Sequence, residues 1–150
     1  ANYQTLAKEL GISLVPGTII EKHPGENNTT LFYNTAYFIS NDGSILSSYR
    51  KKNIWHPERP HLTSSTNERH IAFDTPVGRV GMLICWDLAF PEAFRELIAD
   101  GAKIVIIPTF CMFPLLYVCP HLAILAIFSF YILTIIIRDT PRRITRSTQK

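Results

Sequence analysis

The sequence predicts an α/β domain, and two patterns in the chain support this. Residues 80–85 and 103–107 are apolar runs of strand length, and residues 91–99 between them have the apolar spacing of an amphipathic helix. Strands joined through a helix pair in parallel, which is typical of α/β folds. The second pattern is a hairpin, predicted from two apolar runs at residues 31–39 and 45–49 around an Asn-Asp-Gly turn signal.

The spacing of apolar residues also predicts a helix and a strand near the amino terminus. Apolar residues with helical spacing open the chain, namely Tyr3, Leu6, Ala7 and Leu10. Gly11 supplies the helix stop, because glycine readily adopts the left-handed conformation that ends helices. Residues 12–15 predict a short buried strand, which a Pro-Gly pair interrupts and residues 18–21 continue. Residues 23–30 are polar and are predicted as a loop.

The middle of the chain is a long polar segment. Residues 50–70 contain two prolines and three histidines without any periodic pattern, and a loop of this length in a compact domain is usually functional. A short strand at residues 71–74 and a turn at residues 75–78 then lead into the βαβ unit. Pro91 and Glu92 mark the first turn of its helix, where proline is favoured and the helix dipole attracts an acid.

Composition excludes several classes of protein. The chain of 150 residues is 47% hydrophobic and 18% charged, which excludes a disordered chain, a collagen-like chain and a coiled coil. The net charge of +3 comes from residues 138–150, which hold five cations and one anion. We therefore predict no nucleic-acid partner. An odd count of three cysteines, without a recognisable signal peptide, predicts a reduced, cytoplasmic protein.

The carboxyl-terminal part has a different composition. Residues 104–137 contain no Asp, Glu, Lys or Arg, and residues 115–137 are long enough to cross a bilayer, with a cluster of cations after them. Pro120 and His121 interrupt the run. Two interpretations stay open: a membrane anchor at residues 115–137, or a buried strand followed by aberrant sequence.

Cys85 carries the strongest chemical signal. It ends a predicted buried strand and a helix begins six residues later, so its thiol is placed where nucleophiles and ligands gather in α/β sheets. The backbone N–H of Trp86 would point into the same space and could stabilise an oxyanion. From this placement alone a structural core residue is the commoner outcome, because most buried cysteines have that role.

Four segments of the chain carry a more specific pattern. They are LFYNTA at residues 31–36, YRKKNI at residues 49–54, VGMLICWDLAFPE at residues 80–92 and GAKIVIIPT at residues 101–109. In this order they resemble the nitrilase superfamily, the carbon–nitrogen hydrolases. The second segment resembles the family's lysine motif and the third its nucleophile segment. The resemblance covers about residues 3–110.

The resemblance implies a fold and the residues that belong to it. Family members have a four-layer αββα sandwich, so residues 1–110 are expected to form a partial carbon–nitrogen hydrolase domain. We expect an incomplete sandwich, in which the amino-terminal strand and helix and the carboxyl-terminal half are missing or replaced. Residues 111–150 are predicted as an apolar segment with a basic tail unrelated to the family.

The resemblance also implies roles for individual residues. Cys85 corresponds to the nucleophile, which forms a thioester that water hydrolyses, and Lys51 to the cation that stabilises the tetrahedral intermediate. Glu58 corresponds to a second glutamate that supports the lysine, and a surface glutamate paired with Arg59 is the alternative. The backbone N–H of Trp86 is the predicted oxyanion donor.

The general-base glutamate of the family is expected to be absent from this chain. It lies upstream of the lysine motif, and Glu9 and Glu21 stand in other contexts. The family uses no metal or organic cofactor, and His56, His61 and His70 lack the spacing of metal ligands. We therefore predict no cofactor and no metal site.

The function that the resemblance implies is hydrolysis of non-peptide carbon–nitrogen bonds in a small amide or nitrile substrate. Asp87 favours the amidase and carbamoylase branches, since nitrilases more often have glutamate at that place. Without the general base, impaired activity is expected. The alternatives are a non-catalytic fragment and a membrane-tethered protein anchored by residues 115–137. Helix 91–99 belongs to the family's dimer surface, which implies a homo-oligomer.

Overall fold

The computed structural model describes residues 2–66 and 69–109 and the backbone of residues 132–136. In this part of the chain there are two helices, α1 (Tyr3–Leu10) and α2 (Pro91–Ala99). The strands are β1 (Thr18–Pro24), β2 (Thr30–Ile39), β3 (Ile45–Arg50), β4 (Phe73–Thr75), β5 (Gly78–Met82), β6 (Ile104–Pro108) and β7 (Ile132–Ile136). Short 3₁₀ turns lie at Glu26–Asn28, His56–Glu58 and Cys85–Ala89.

Helix α1 begins and ends as its spacing predicts. The Asn2 side chain caps it by accepting the Gln4 N–H at 3.1 Å, and Gly11 ends it with a φ of 63°. Gln4 Nε2 donates to the Gly43 carbonyl oxygen at 3.0 Å. The helix is therefore anchored to the turn of the following hairpin.

The first sheet contains three antiparallel strands in the order β1-β2-β3. The predicted hairpin is the β2–β3 pair. Since β3 ends at Arg50, Lys51 is the first residue beyond this sheet.

The second sheet has the order β4-β5-β6-β7. β5 and β6 pair in parallel, with Val80 opposite Ile104, and α2 connects them. This confirms the predicted βαβ unit. β4 pairs antiparallel with β5, and β7 pairs antiparallel with β6.

The two sheets pack face to face. Ala36 and Phe38 of β2 belong to one apolar cluster with Val80, Met82 and Ile84, which lie on and just after β5. Because side chains alternate between the two faces of a strand, the even-numbered residues Val80, Met82 and Ile84 of the second sheet share the face that points to the first sheet.

Helix α2 covers the opposite face of the second sheet. Its Ala93 and Leu97 pack with Leu83 and Val105 in a separate apolar cluster. Gly81 lies beneath the helix, where an added Cβ would lie 2.7 Å from two carbons of Leu97. Only glycine permits this close approach. The resulting stack of sheet, sheet and helix forms part of the expected αββα sandwich.

The prediction of a strand at residues 12–15 was wrong. In the structure this run contributes a single bridge between Leu14 and Ile39. The physical reason is that a proline without a backbone N–H follows it, and Gly17, with a φ of 110°, breaks the extended path. The strand forms after this break and continues to Pro24, inside the predicted loop.

The strand that leads to Cys85 is shorter than predicted. β5 ends at Met82, although the Leu83 N–H still donates to the Ile106 carbonyl oxygen at 3.1 Å. Cys85 has a φ of 47°, which is incompatible with a continuing strand. Cys85 therefore begins the turn between β5 and α2 instead of ending the strand.

Most of the apolar carboxyl-terminal run lies outside the described residues. Within it the structure describes the backbone of Ile132–Ile136, which forms β7 beside β6. Across the described ranges, no helix has the length and apolar character needed to cross a membrane. The predictions for residues 111–131 and 137–150, including the basic tail and most of the 115–137 segment, lie outside the described residues.

Candidate active site

Lys51 is a buried cation at the end of the first sheet. Its backbone N–H donates to the Asn34 carbonyl oxygen at 2.8 Å, which extends the pairing of β3 with β2. Its side chain is 0% exposed, and its Nζ lies 2.5 Å from Oε2 of Glu58. A buried ammonium group needs such a partner, because an isolated buried charge is very costly. The ion pair therefore holds Lys51 Nζ against the turn that contains Glu58.

Glu58 reaches Lys51 from the short turn at the start of the long loop. Its Oε2 also accepts the Trp55 N–H at 3.2 Å. Arg59 bonds elsewhere, since its Nε donates to the Ile54 carbonyl oxygen at 3.4 Å. Of the two pairings that the sequence left open, the structure shows Glu58 with Lys51.

Cys85 occupies a strained turn. The residue before it, Ile84, is buried, and Cys85 itself is partly buried. Its φ of 47° lies in the left-handed region, which residues with a Cβ rarely adopt. Such strain is found mainly at functional sites, where the surrounding structure holds the residue in place. In the part of the chain that the structure describes, Cys85 is a thiol and not a disulfide.

Trp86 connects the cysteine turn with the loop that carries Glu58. Its ring meets the ring of His56 edge-on, with the centroids 6.2 Å apart. His56 is the first residue of the 3₁₀ turn that ends at Glu58. The contact therefore brings the predicted oxyanion-donor residue to the turn that contains the predicted lysine partner, Glu58.

Asp87 connects the cysteine turn with the lysine segment. It is 0% exposed, and both of its carboxylate oxygens accept hydrogen bonds. Oδ2 accepts the Tyr49 hydroxyl and the Ile84 N–H, each at 2.9 Å. Oδ1 accepts the Asn53 N–H at 2.8 Å and the Asn53 Nδ2 at 2.9 Å. These contacts bring together the two segments that the sequence singled out.

Sequence reasoning missed this role of Asp87 and used the residue only to distinguish family branches. The signal was an acid directly after a buried apolar run, because a buried carboxylate requires several donors. Its partners were not readable from the sequence, since Asn53 and Tyr49 lie 34 and 38 residues away.

The hydrogen-bonded pair of His70 and Glu96 packs against Tyr49. The Tyr49 ring stacks on the ring of buried His70, with the centroids 5.8 Å apart. Glu96 of α2 accepts the His70 N–H at 3.0 Å and lies 2.7 Å from His70 Nδ1. The backbone and side-chain hydrogen bonds from His70 lower the pKa of Glu96 to about 2. Helix α2 thereby contributes to the placement of Tyr49.

The two glutamates that precede the lysine segment lie in other surroundings. Glu9 is exposed on α1. Glu21 accepts a hydrogen bond from Thr35 Oγ1 at 2.7 Å and another from the Tyr37 hydroxyl. Burial raises the pKa of Glu21, but the hydrogen bonds from Tyr37 and Thr35 outweigh it and leave that pKa below its usual value.

Two observations describe the charged groups of residues 2–66 and 69–109. Of the carboxylates placed there, Glu58 is the one within ion-pair distance of Lys51 Nζ. No group of three or more His, Cys, Asp or Glu residues in those ranges is arranged to hold a metal ion.

The contacts above join the same segments that carry a family pattern. The sequence model of the carbon-nitrogen hydrolases matches residues 1–124. The chain belongs to the carbon-nitrogen hydrolase family. The match extends past residue 110, the end of the resemblance in the sequence motifs. In this family the stacked sheets and α2 are part of the αββα sandwich.

Individual relatives agree with this assignment. The chain is 37% identical to N-carbamoylputrescine amidase of Arabidopsis thaliana over 114 residues, covering 73% of this chain and 36% of that protein. Nit3 of Saccharomyces cerevisiae, from branch 10 of the nitrilase superfamily, superposes with a TM-score of 0.62 and 32% identity, covering 73% of this chain and 38% of that one.

A third relative has a modified cysteine in its solved structure. It is a mutant of the amidase from Nesterenkonia sp. AN1, which shows Michael addition of acrylamide at the active-site cysteine. It superposes with a TM-score of 0.57 and 26% identity, covering 71% of this chain and 40% of that one. The chain spans less than half the length of each of the three relatives.

Proposed function

We propose that this chain carries the nucleophile portion of an amidase-type thiol hydrolase of non-peptide carbon–nitrogen bonds. The supporting observation is the junction at Asp87, which joins the segments of Cys85 and Lys51, while Glu58 pairs with the lysine. A thiol that attacks a carbonyl carbon needs a cation and N–H donors beside the developing oxyanion. These segments supply both kinds of group.

In the proposed reaction, Sγ of Cys85 attacks the carbonyl carbon of an amide, and the π electrons of the carbonyl move onto its oxygen. Lys51 Nζ and the Trp86 backbone N–H stabilise the oxyanion, and Glu58 holds Lys51 Nζ in place. The C–N bond then breaks, and the nitrogen leaves as ammonia or an amine with the proton of the thiol. Water hydrolyses the thioester, which releases the acid and restores the thiol.

We further propose that turnover by this chain is slow. The family's general-base glutamate is not among the residues that the resemblance assigns in this sequence. Removing a general base typically lowers the rate by about 10²–10⁴-fold. Covalent modification of Cys85 is therefore the more sensitive measurement of a working site.

The first test is covalent labelling of the full chain with acrylamide at neutral pH, mapped by mass spectrometry. Cys85 is expected to react ahead of Cys111 and Cys119. Lys51→Ala is expected to slow Cys85 labelling about tenfold, the equivalent of one unit of thiol pKa. The matched control Lys52→Ala should leave the rate unchanged. Equal, slow labelling of all three cysteines would contradict the proposal and favour a non-catalytic fragment.

The proposed substrate class is a small amide, by analogy with the two relatives named as amidases. Ammonia release from propionamide is expected to exceed release from propionitrile, and Cys85→Ala should abolish both. Release from the nitrile but not from the amide would overturn the assignment to the amidase branch.

We also propose that the chain is cytoplasmic and self-associates through α2. A reduced thiol nucleophile suits the reducing cytosol. On α2 the exposed side of the helix carries Ile98, which is 44% exposed, near the ion pair of Glu92 and Arg95. Ile98→Glu is expected to convert a dimer to a monomer in analytical ultracentrifugation. A parent chain that is monomeric at micromolar concentration would contradict this.

A further inference from the structure

Asp87 holds the chain on both sides of Lys51. Tyr49 stands two residues before the lysine and Asn53 two residues after it, and both donate to the Asp87 carboxylate. The Asn53 backbone N–H is one of these donors, so the main chain itself is bound directly after the lysine. One side chain therefore binds the chain on both sides of Lys51, in addition to the backbone hydrogen bond from Lys51 to Asn34.

Asp87 also closes the turn that carries the thiol. Its Oδ2 accepts the Ile84 N–H at 2.9 Å, and its own N–H donates to the Ile84 carbonyl oxygen at 3.1 Å. This reciprocal pair encloses Cys85, whose φ of 47° needs support from its surroundings. The same carboxylate therefore stabilises the strained conformation of the cysteine.

The contacts suit aspartate better than related side chains. Four donors meet two oxygens, and both oxygens of a carboxylate act only as acceptors. Asparagine would replace one oxygen with an amide group that is itself a donor. Glutamate would add a methylene at a position that is 0% exposed, where extra volume forces neighbours to move.

We propose that Asp87 is a positioning residue, which sets the placement of Lys51 Nζ relative to Cys85 Sγ by binding both segments at once. This inference rests on the proposed function and deepens it. It differs from a purely structural role, because it requires that the effect of Lys51 on the thiol depends on Asp87.

The test is a double-mutant cycle on the rate of Cys85 labelling by acrylamide between pH 5 and pH 10. Asp87→Asn is expected to lower the rate at pH 7 about tenfold and to raise the pH midpoint by about one unit. Lys51→Ala should have little further effect in that variant, less than about twofold, whereas it lowers the rate about tenfold in the parent chain.

The matched control is Asp100→Asn. The Asp100 carboxylate also accepts a backbone N–H, that of Ala72 at 2.7 Å, and pairs with Arg79, away from the two site segments. In this variant Lys51→Ala should keep its full effect on Cys85 labelling. A loss of coupling in both aspartate variants would mean general loosening of the fold and would overturn the inference.

The outcomes separate this inference from the proposed function. If Lys51→Ala slows labelling in the parent chain and slows it equally in Asp87→Asn, the positioning role is overturned and the proposed function survives. If Lys51→Ala has no effect in the parent chain, the proposed function fails and the inference fails with it.

A milder variant covers the case in which Asp87→Asn does not fold. Tyr49→Phe removes one donor to Asp87 and keeps the ring that stacks on His70. It is expected to lower the labelling rate about threefold, and the matched control Tyr37→Phe should not change it. A Tyr49→Phe chain with the parent rate and the parent response to Lys51→Ala would overturn the inference.

Discussion

Asp87 and Glu21 are both carboxylates that accept a tyrosine hydroxyl, yet they connect different parts of the molecule. Glu21 lies on β1, and its donors Thr35 and Tyr37 lie on the adjacent strand β2. The donors to Asp87 come from the end of the first sheet and from the turn after β5 in the second. Glu21 therefore connects two strands of one sheet, whereas Asp87 connects two sheets.

The two carboxylates differ in whether their hydrogen bonds contribute to the candidate site. β1 and β2 are already paired along their backbones, so the contacts of Glu21 add to a structure that exists without them. The segments around Lys51 and Cys85 lie in different sheets and share no such ladder, and the hydrogen bonds of Asp87 connect them. Exposure differs in the same direction, because the Glu21 side chain is 21% exposed and Asp87 is 0% exposed.

The largest loss of free energy of unfolding is expected when the Asp87 carboxylate, which connects the two sheets, is removed. Asp87→Ala leaves several donors without an acceptor in a site that water does not reach, and we expect it to lower the free energy of unfolding by about 3 kcal/mol. Glu21→Ala should cost about 1 kcal/mol, because the Glu21 side chain is partly exposed and one of its two donors, Tyr37, is only half-buried. Urea denaturation at pH 7 measures both values. Equal losses in the two variants would remove the distinction between the two carboxylates.

A smaller loss of stability is expected when Glu96 is replaced. Glu96 also connects two parts of the chain, since it binds His70 from α2, but it lies at the surface. Its pKa of about 2 lies below the usual 4.5, so its contribution to stability is complete above about pH 4.5 and is lost as the pH falls towards 2. The side chain is 38% exposed, so screening by solvent limits the contribution to about 1 kcal/mol.

Glu96→Gln should therefore be less stable than the parent chain at pH 7 and equal to it near pH 2. Urea denaturation across this range measures the difference. Glu92→Gln is the matched control, since Glu92 lies on the same helix with 71% of its side chain exposed. A Glu96→Gln deficit that does not shrink on acidification would contradict the linkage.

The smallest change in the free energy of unfolding is expected when a single tyrosine hydroxyl is removed. Tyr49→Phe and Tyr37→Phe each remove one hydroxyl that donates to a carboxylate, Asp87 in the first case and Glu21 in the second. We expect losses of about 1 kcal/mol and about 0.5 kcal/mol in the free energy of unfolding, because the first carboxylate is the more deeply buried. Thermal or urea unfolding measures them, and the reverse order would show that burial does not set the scale.

Local elements were predictable where the pattern lies within a few residues. The spacing of Leu6, Ala7 and Leu10 predicted α1, and the alternation of strand, helix and strand predicted the parallel pairing of β5 with β6. The prediction failed at residues 12–15 and at the end of β5. In both places backbone geometry interrupts an apolar run, at Gly17 in one case and at Cys85 in the other.

Four features could be predicted from the amino-acid sequence alone: the α/β class, the hairpin, the βαβ unit and the family. Each depends on a local period or on motifs in a set order. The sequence also singled out Cys85, Lys51 and Glu58. The folded arrangement was needed to show that Glu58 pairs with Lys51 and that Asp87 joins the two motifs. A buried carboxylate takes its donors from whatever chain lies nearest in space, and here the donors from the lysine segment lie 34 and 38 residues away.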